Sequence, residues 1–153
     1  MTAHEGHSYF RAVAGGAFAA AGGVPRRPSS FDPCPCGRDR FGACCGPILE
    51  GSPAETAEDL MRSRYVAFAV GDDDHLFRTW HPRTRPAEAG ADVTMRWTGL
   101  EIIDVVAGGI DDVDGVVEFV ARYEMQDGEA GQSRERSRFT RRAGRWMYLD
   151  AEG

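Results

Sequence analysis

The chain has 153 residues and a formal net charge of −6, and all 18 of its basic residues are arginines. This length corresponds to one ordinary domain with small additions, and it is enough to bury a modest core. The acidic balance argues against general nucleic-acid binding, and no apolar run approaches the roughly 20 residues of a membrane-spanning helix.

Residues 1–32 are predicted to form a disordered leader, because they are rich in alanine and glycine and end in a Pro- and Ser-rich stretch. The apolar segment Ala12–Val24 resembles a signal-peptide core in composition, but glycines interrupt it and no basic cluster precedes it. The expected compartment is therefore the cytoplasm. His4 and His7 are expected to be solvated tail histidines rather than metal ligands.

The next segment contains all four cysteines of the chain, as a C-x-C pair, Cys34 and Cys36, followed by the adjacent pair Cys44 and Cys45. Four thiolates at about 2.3 Å suit one tetrahedral Zn²⁺, and a site with four protein ligands is structural because no coordination position stays open. The glycines and prolines around the thiols suit a chain that turns tightly around a small ion.

Three alternatives to zinc remain open at this point. An iron–sulfur cluster also takes four thiolates. Disulfides are disfavoured within either pair, because their geometry is restrictive, although bonds between the pairs are possible in an oxidising compartment. Four free thiols would be an unusual cluster in a chain with no other cysteine.

Two helices are predicted after a short hinge over Pro47–Gly51. Ser52 and Glu55 fit a capping box, and Thr56 with Asp59 is an alternative helix start one turn later. Apolar residues at three- and four-residue steps predict a helix that runs to about Val70 and ends at Gly71. A second helix over about Asp73–Trp80 is expected to bury Leu76, Phe77 and Trp80. Residues 72–74 favour helix capping over a calcium loop, whose spaced oxygen ligands they lack.

From Val93 onward the hydrophobic period changes to two, which predicts four strands. The first continues through Val106 with a bulge at Gly99, and the others are expected over Val116–Met125, Ser133–Arg142 and Arg145–Asp150. Helices followed by an antiparallel meander define an α+β order, in which the helices cover one face of the sheet.

The cysteine segment resembles the SEC-C motif, a short zinc-binding segment named for the C-terminus of the SecA translocation ATPase. The loop between the two cysteine pairs, Gly37–Ala43, is commonly one residue longer in that family. Residues 33–47 are therefore expected to form a SEC-C-like zinc knuckle, and the SecA resemblance implies a protein or ribosomal partner.

The remainder of the chain resembles the YchJ-like family, also called UPF0225. The motifs that carry this resemblance are Leu60–Phe68, Thr79–Pro86, Glu118–Tyr123, Glu135–Phe139 and Arg145–Tyr148. Membership implies an NTF2-like fold over residues 52–153, in which helices pack into the concave side of a curved antiparallel sheet. It implies no particular activity.

An NTF2-like cone encloses a pocket whose polar lining supplies the candidate site residues. Two arginines can bind an anionic ligand bidentately, a histidine can shuttle a proton, and a glutamate can pair with either arginine. The alternative is structural, with the aromatic members filling the core and an Arg–Glu pair satisfying buried charge. The candidates are Arg64, Tyr65, Trp80, His81, Arg85, Trp97 and Glu135.

Alternating arginines at Arg134, Arg136 and Arg138 share one face of a predicted strand. A phosphate-binding stripe is one interpretation, and a solvated sheet face paired with Glu118, Glu124 or similar partners is the favoured one. No aromatic residues interleave on that face to stack against bases.

The sequence therefore predicts a zinc-binding NTF2-like protein that acts as a binding or adaptor module. The alternative function is a small-molecule-binding or enzymatic cone that uses His81, Arg85 and Glu135. The sequence shows no identifiable pair of nucleophile and general base, so it predicts no reaction class.

Overall fold

The computed structural model describes residues 27–88, 90–92 and 94–152. The histidines of the leader, His4 and His7, lie outside the described residues. The helices are α1 (Cys45–Leu49), α2 (Ala57–Val70) and α3 (Asp73–Arg78), and a short 3₁₀ turn over Phe41–Ala43 precedes α1. The strands are β1 (Met95–Ala107), β2 (Asp114–Met125), β3 (Ala130–Arg142) and β4 (Arg145–Ala151).

The four strands form one antiparallel sheet in the order β1-β2-β3-β4, as the predicted meander requires. Register shifts between Trp97 and Gly99 confirm the predicted bulge in β1, and a second shift lies between Ile102 and Asp104. Helix α2 packs across one face of the sheet and contacts β1, β2 and β4. The α+β fold expected from the order of elements is therefore confirmed.

Helix α2 begins at the second of the two predicted caps. The Thr56 side chain accepts a hydrogen bond from the Asp59 amide at 3.0 Å, whereas Ser52 lies in the irregular segment before the helix. Gly71 ends the helix in the left-handed conformation with φ of 78°, as its position in the sequence indicates. Asp72 caps α3 by accepting from the His75 amide, which confirms capping for this acidic run.

Two local predictions are wrong. Pro47–Gly51 is not only a hinge, because α1 extends to Leu49 with Pro47 inside its first turn, where a missing amide hydrogen costs nothing. Phe77 is 37% exposed instead of buried. In the six-residue helix α3, His75 and Leu76 face the core, so the neighbouring Phe77 is turned outward.

The outer face of the sheet is covered by ion pairs across the strands. Arg134 and Arg136 both reach Glu118, and Arg138 pairs with Asp150 at 2.6 Å. Glu118 is thus a partner of the arginine stripe, as predicted, whereas the predicted Glu124 pairs with Arg96 on β1. This is a solvated sheet face whose arginines already have carboxylate partners.

Candidate metal centre and buried polar cluster

The cysteine segment folds as a tight loop that runs into α1. The Cys34 amide donates to the Asp39 carbonyl at 2.8 Å, and the Gly37 amide donates to the Cys34 carbonyl at 2.9 Å. Gly37 has φ of 92°, a conformation that favours glycine, so its place between the cysteine pairs has a backbone reason. The loop presents Cys34 and Cys36, and the start of α1 presents Cys44 and Cys45.

The four Sγ atoms all lie within 4.8 Å of one another. The Cys36–Cys44 pair is separated by 3.5 Å and the Cys44–Cys45 pair by 3.9 Å. Tetrahedral bonds of about 2.3 Å place neighbouring sulfurs about 3.8 Å apart, so this spacing fits one ion with four thiolate ligands. All four cysteines are free, which disagrees with the disulfide alternative.

The thiols perturb one another strongly. Hydrogen bonds from Cys34 and Cys45 lower the pKa of the Cys36 thiol well below its usual range. The reciprocal contact with Cys36 raises the pKa of Cys34 to about 12. A divalent cation can replace the protons of such thiols while stabilising every thiolate. The donor set therefore fits a metal ion.

Two arginines fasten this loop to α2. Arg62 Nη1 donates to the Cys36 carbonyl at 2.9 Å while its Nε pairs with Glu58, and Arg38 Nη2 reaches Asp59 Oδ1 at 2.6 Å. Their positive charges lie beside the four thiols, which as thiolates around one divalent ion would keep a net negative charge. Such contacts around the ligands orient them and strengthen metal binding.

A second group of polar side chains is buried between the helices and the sheet. Arg64 on α2 is only 3% exposed and donates from Nη1 to the Leu76 carbonyl and to Thr79 Oγ1, at 3.0 and 2.7 Å. Its guanidinium lies over the rings of Trp80 and Tyr148, at 5.2 and 4.7 Å from their centroids. Burial lowers the pKa of Arg64 to about 10, so the charge persists at neutral pH.

Glu135 lies on the inner face of β3. Its Oε2 atom accepts hydrogen bonds from Tyr148 at 2.8 Å and from Ser137 at 2.6 Å. Tyr148 thus links Glu135 to Arg64, because the same ring lies beneath the guanidinium. The hydrogen bonds of the cluster are incomplete, because Arg64 Nη2 and Trp80 Nε1 are buried without a hydrogen-bond partner among the described residues.

The other candidates divide between core and surface. Tyr65 and Trp97 are buried and pack edge to face at 6.3 Å. His81 and Arg85 lie on the segment after α3 and are half-buried. His81 donates its amide to the Tyr148 carbonyl and accepts from the Arg83 amide at Nδ1, while Arg85 stacks over Phe77 at 3.9 Å.

Sequence reasoning missed a buried pair that the structure brings together. His75 Nε2 lies 3.0 Å from Ser63 Oγ, and Ser63 Oγ also lies 2.8 Å from the Leu60 carbonyl. His75 appears in the sequence as a polar residue in a short, acidic helix start. Ser63 lies on the same helical face as the apolar residues of α2, and this position could have predicted its burial.

A chain with these features is an NTF2-like α+β protein with a cluster of four cysteines, suited to a metal ion, before its first long helix. Residues 56–151 match the family model described as the middle NTF2-like domain of YchJ. The chain is 52% identical over 122 residues to a UPF0225 protein of Streptomyces coelicolor, covering 78% of this chain and 94% of that protein. A UPF0225 protein of Chromobacterium violaceum is 49% identical over 121 residues, covering 76% and 89%. The chain belongs to the YchJ-like UPF0225 family.

Two solved structures share the fold. The solution structure of a SEC-C motif containing protein from Rhodopseudomonas palustris has a TM-score of 0.67 and 32% identity, covering 78% of this chain and 97% of that one. The crystal structure of a SEC-C motif containing protein from Psychrobacter arcticus has a TM-score of 0.63 and 26% identity, covering 79% and 82%. Within the described residues, no helix is long and apolar enough to cross a membrane.

Proposed function

We propose that this protein is an adaptor module in which a structural Zn²⁺ at Cys34, Cys36, Cys44 and Cys45 rigidifies a protein-binding surface. The observation that carries the proposal is the convergence of all four Sγ atoms within 4.8 Å, which leaves no ligand position for a substrate. The ion would hold the loop and α1 in one conformation. The chemistry that it supplies is cross-linking of the chain.

The surface that this site would stabilise includes an exposed aromatic side chain. Phe31 is 78% exposed. Its carbonyl accepts a hydrogen bond from Arg40 Nη1 at 2.8 Å, which fixes the Phe31 backbone against the cysteine loop. Aromatic and arginine side chains are enriched in protein interfaces, because they offer large contact areas with a polar edge. We define the knuckle surface as Phe31, Arg40 and the exposed Ala43.

The second candidate function, a catalytic or ligand-binding cone, has less support. Arg64, Trp80 and Glu135 are buried, and Glu135 is engaged by Tyr148 and Ser137. His81 and Arg85 lie nearer the surface, on the segment that follows α3. A ligand that reached all of these groups would have to displace core side chains.

The test is quantitative affinity capture with the metal-loaded protein and three variants. Phe31→Ala removes the exposed ring without touching the ligands, the Cys44→Ser/Cys45→Ser double variant removes half of the ligand set, and Ile110→Ala is a control because Ile110 is similarly exposed at 64%. We expect specific protein partners to be lost with the first two and kept with the control. Circular dichroism verifies that Phe31→Ala keeps its sheet.

Partners that bind Phe31→Ala and the double-cysteine variant as well as they bind the parent protein would contradict the proposal. Ribosomal proteins among the lost partners would identify the ribosome as the target, and other proteins would identify a soluble partner. Direct binding of one purified partner, measured by calorimetry with parent and Phe31→Ala, then completes the test.

A further inference from the structure

A cleft of about 280 Å³ opens where the cysteine segment joins the sheet. Its walls come from α1, the linker around Ser52, α3 and β4, and its apolar part includes Leu60 and Trp146. None of the site residues predicted from the sequence lines it. The cleft is therefore a different place from the interior of the cone, where a ligand was expected.

The polar part of the cleft has one sign of charge. Arg78 and Arg145 are among its lining residues, and none of the lining residues is acidic. Arg145 Nη1 donates to the Gly51 carbonyl at 3.3 Å, and Arg78 pairs with Asp74 through Nε, so each guanidinium keeps further N–H donors. In a chain with a net charge of −6, the two guanidinium groups make the mouth of the cleft locally positive, and Asp74 offsets part of the charge of Arg78.

His75 adds a buried acceptor to the same cleft. It lines the cleft and is fully buried, and its Nδ1 atom has no hydrogen-bond partner among the described residues. The hydroxyl hydrogen of Ser63 is directed to the Leu60 carbonyl, so the contact with His75 requires the hydrogen on Nε2. Nδ1 then carries a lone pair, and leaving it unsatisfied costs free energy.

We propose that this cleft binds a small organic carboxylate that has an apolar body and a hydroxyl or N–H donor. The two arginines bind the carboxylate and the apolar body lies against Trp146 and Leu60. His75 Nδ1 is fully buried, so the donor group reaches it only when side chains in the wall of the cleft move. Because α1 and β4 both line the cleft, the ligand bridges the cysteine segment and the sheet. The inference is independent of the adaptor proposal, since it involves neither the metal nor the knuckle surface.

The experiment is a titration of the metal-loaded, ¹⁵N-labelled protein followed by amide and indole NMR shifts. Three probes of matched size separate the contributions: mandelate carries the carboxylate and a hydroxyl, phenylacetate only the carboxylate, and 2-phenylethylamine the opposite charge. We expect saturable shifts at Trp146, Thr79 and the linker with both acids. Mandelate should bind roughly threefold tighter than phenylacetate, and the amine at least about tenfold weaker than either.

Two variants locate the binding. Arg78→Gln/Arg145→Gln should weaken both acids by about tenfold, whereas the double change Arg96→Gln/Arg142→Gln, on exposed residues outside the cleft, should leave them unchanged. Absence of saturable shifts at millimolar acid would overturn the proposal. Equal binding of the amine, or shifts that survive the change at Arg78 and Arg145, would also overturn it.

Discussion

His75 is a titratable side chain in a buried environment that disfavours its protonated form. Burial, followed by the charges of Arg64, Arg78 and Arg27, lowers its pKa to about 3, and Asp74 opposes this only in part. The side chain is therefore neutral at physiological pH, in the tautomer that its contact with Ser63 selects. Folding must keep this imidazole unprotonated, so its cost depends on pH.

We predict that His75 makes the protein less stable as the pH falls. Its pKa is about 3 in the folded chain and 6.5 in the unfolded chain, so the unfolded chain binds more protons between these values. The stabilising contribution is complete above pH 6.5 and is lost as the pH falls toward 3, with a slope of up to about 1.4 kcal/mol per pH unit. Urea unfolding in the upper part of this range, where the thiolates still hold the ion, measures it.

The His75→Gln variant should show a shallower dependence of the free energy of unfolding on pH. Gln can keep the hydrogen bond to Ser63 without titrating. His81→Gln serves as the control. Partial burial, then Arg83 and Arg142, lower the pKa of His81 as well, but solvent screens much of this effect, so its slope should differ from that of the parent protein by much less. Identical slopes for His75→Gln and the parent would show that His75 is not the responsible group.

The site residues differ in how far the sequence could predict them. The clustering of Cys34, Cys36, Cys44 and Cys45 could be predicted because all four lie within one short segment with the spacing of a four-thiolate site, and their role as metal ligands stays a prediction. The burial of Arg64 and Glu135 follows from helix and strand periodicity, but their partners do not. Tyr148 meets Glu135 only through the pairing of two strands, which no local pattern encodes.

At the scale of elements, the strands were predicted well because alternation is strong where one sheet face is buried. The predicted strand over Val116–Met125 begins two residues late, and the bulge at Gly99 is confirmed. Helix starts were harder to predict, because two caps compete within one turn of sequence. The helix begins after Thr56 instead of Ser52 because the Ala57 amide donates to the Gly108 carbonyl at 2.9 Å. These two residues are far apart in the sequence, so no local pattern predicts their contact.

We predict that Thr56→Ala lowers the free energy of unfolding by about 1 kcal/mol, the usual cost of losing a side-chain cap. The loss arises because the Asp59 amide is left without its acceptor. Ser52→Ala is the matched control and should change the stability by less than about 0.5 kcal/mol, since Ser52 caps no helix. Chemical denaturation of both variants measures the difference. A larger loss from Ser52→Ala than from Thr56→Ala would place the helix start at the earlier cap.

At the scale of the whole molecule, the cysteine segment and the sheet share one hydrophobic core. Cys34, Cys36 and Cys45 belong to the same buried cluster as Leu60, on α2, and the inward side chains of the strands. Arg62 adds a polar link between the Cys36 carbonyl and α2. Loosening the loop should therefore expose part of the core instead of detaching an independent unit.

We therefore predict that metal removal destabilises the entire chain. Chelation should lower the unfolding temperature reported by tryptophan fluorescence by about 10 °C or more, because structural zinc contributes folding free energy directly. Trp97 and Trp146 lie on β1 and β4, and Trp80 packs against Tyr148 of β4 at 5.1 Å, so this signal reports on the sheet, while reactivity of the thiols reports on the loop. Both transitions should shift together, and added Zn²⁺ should restore them.

In the Cys44→Ser/Cys45→Ser variant the chelator should have no further effect. If the thiols became reactive while the tryptophan transition stayed in place, the loop would be an independent unit, and the metal would stabilise it alone.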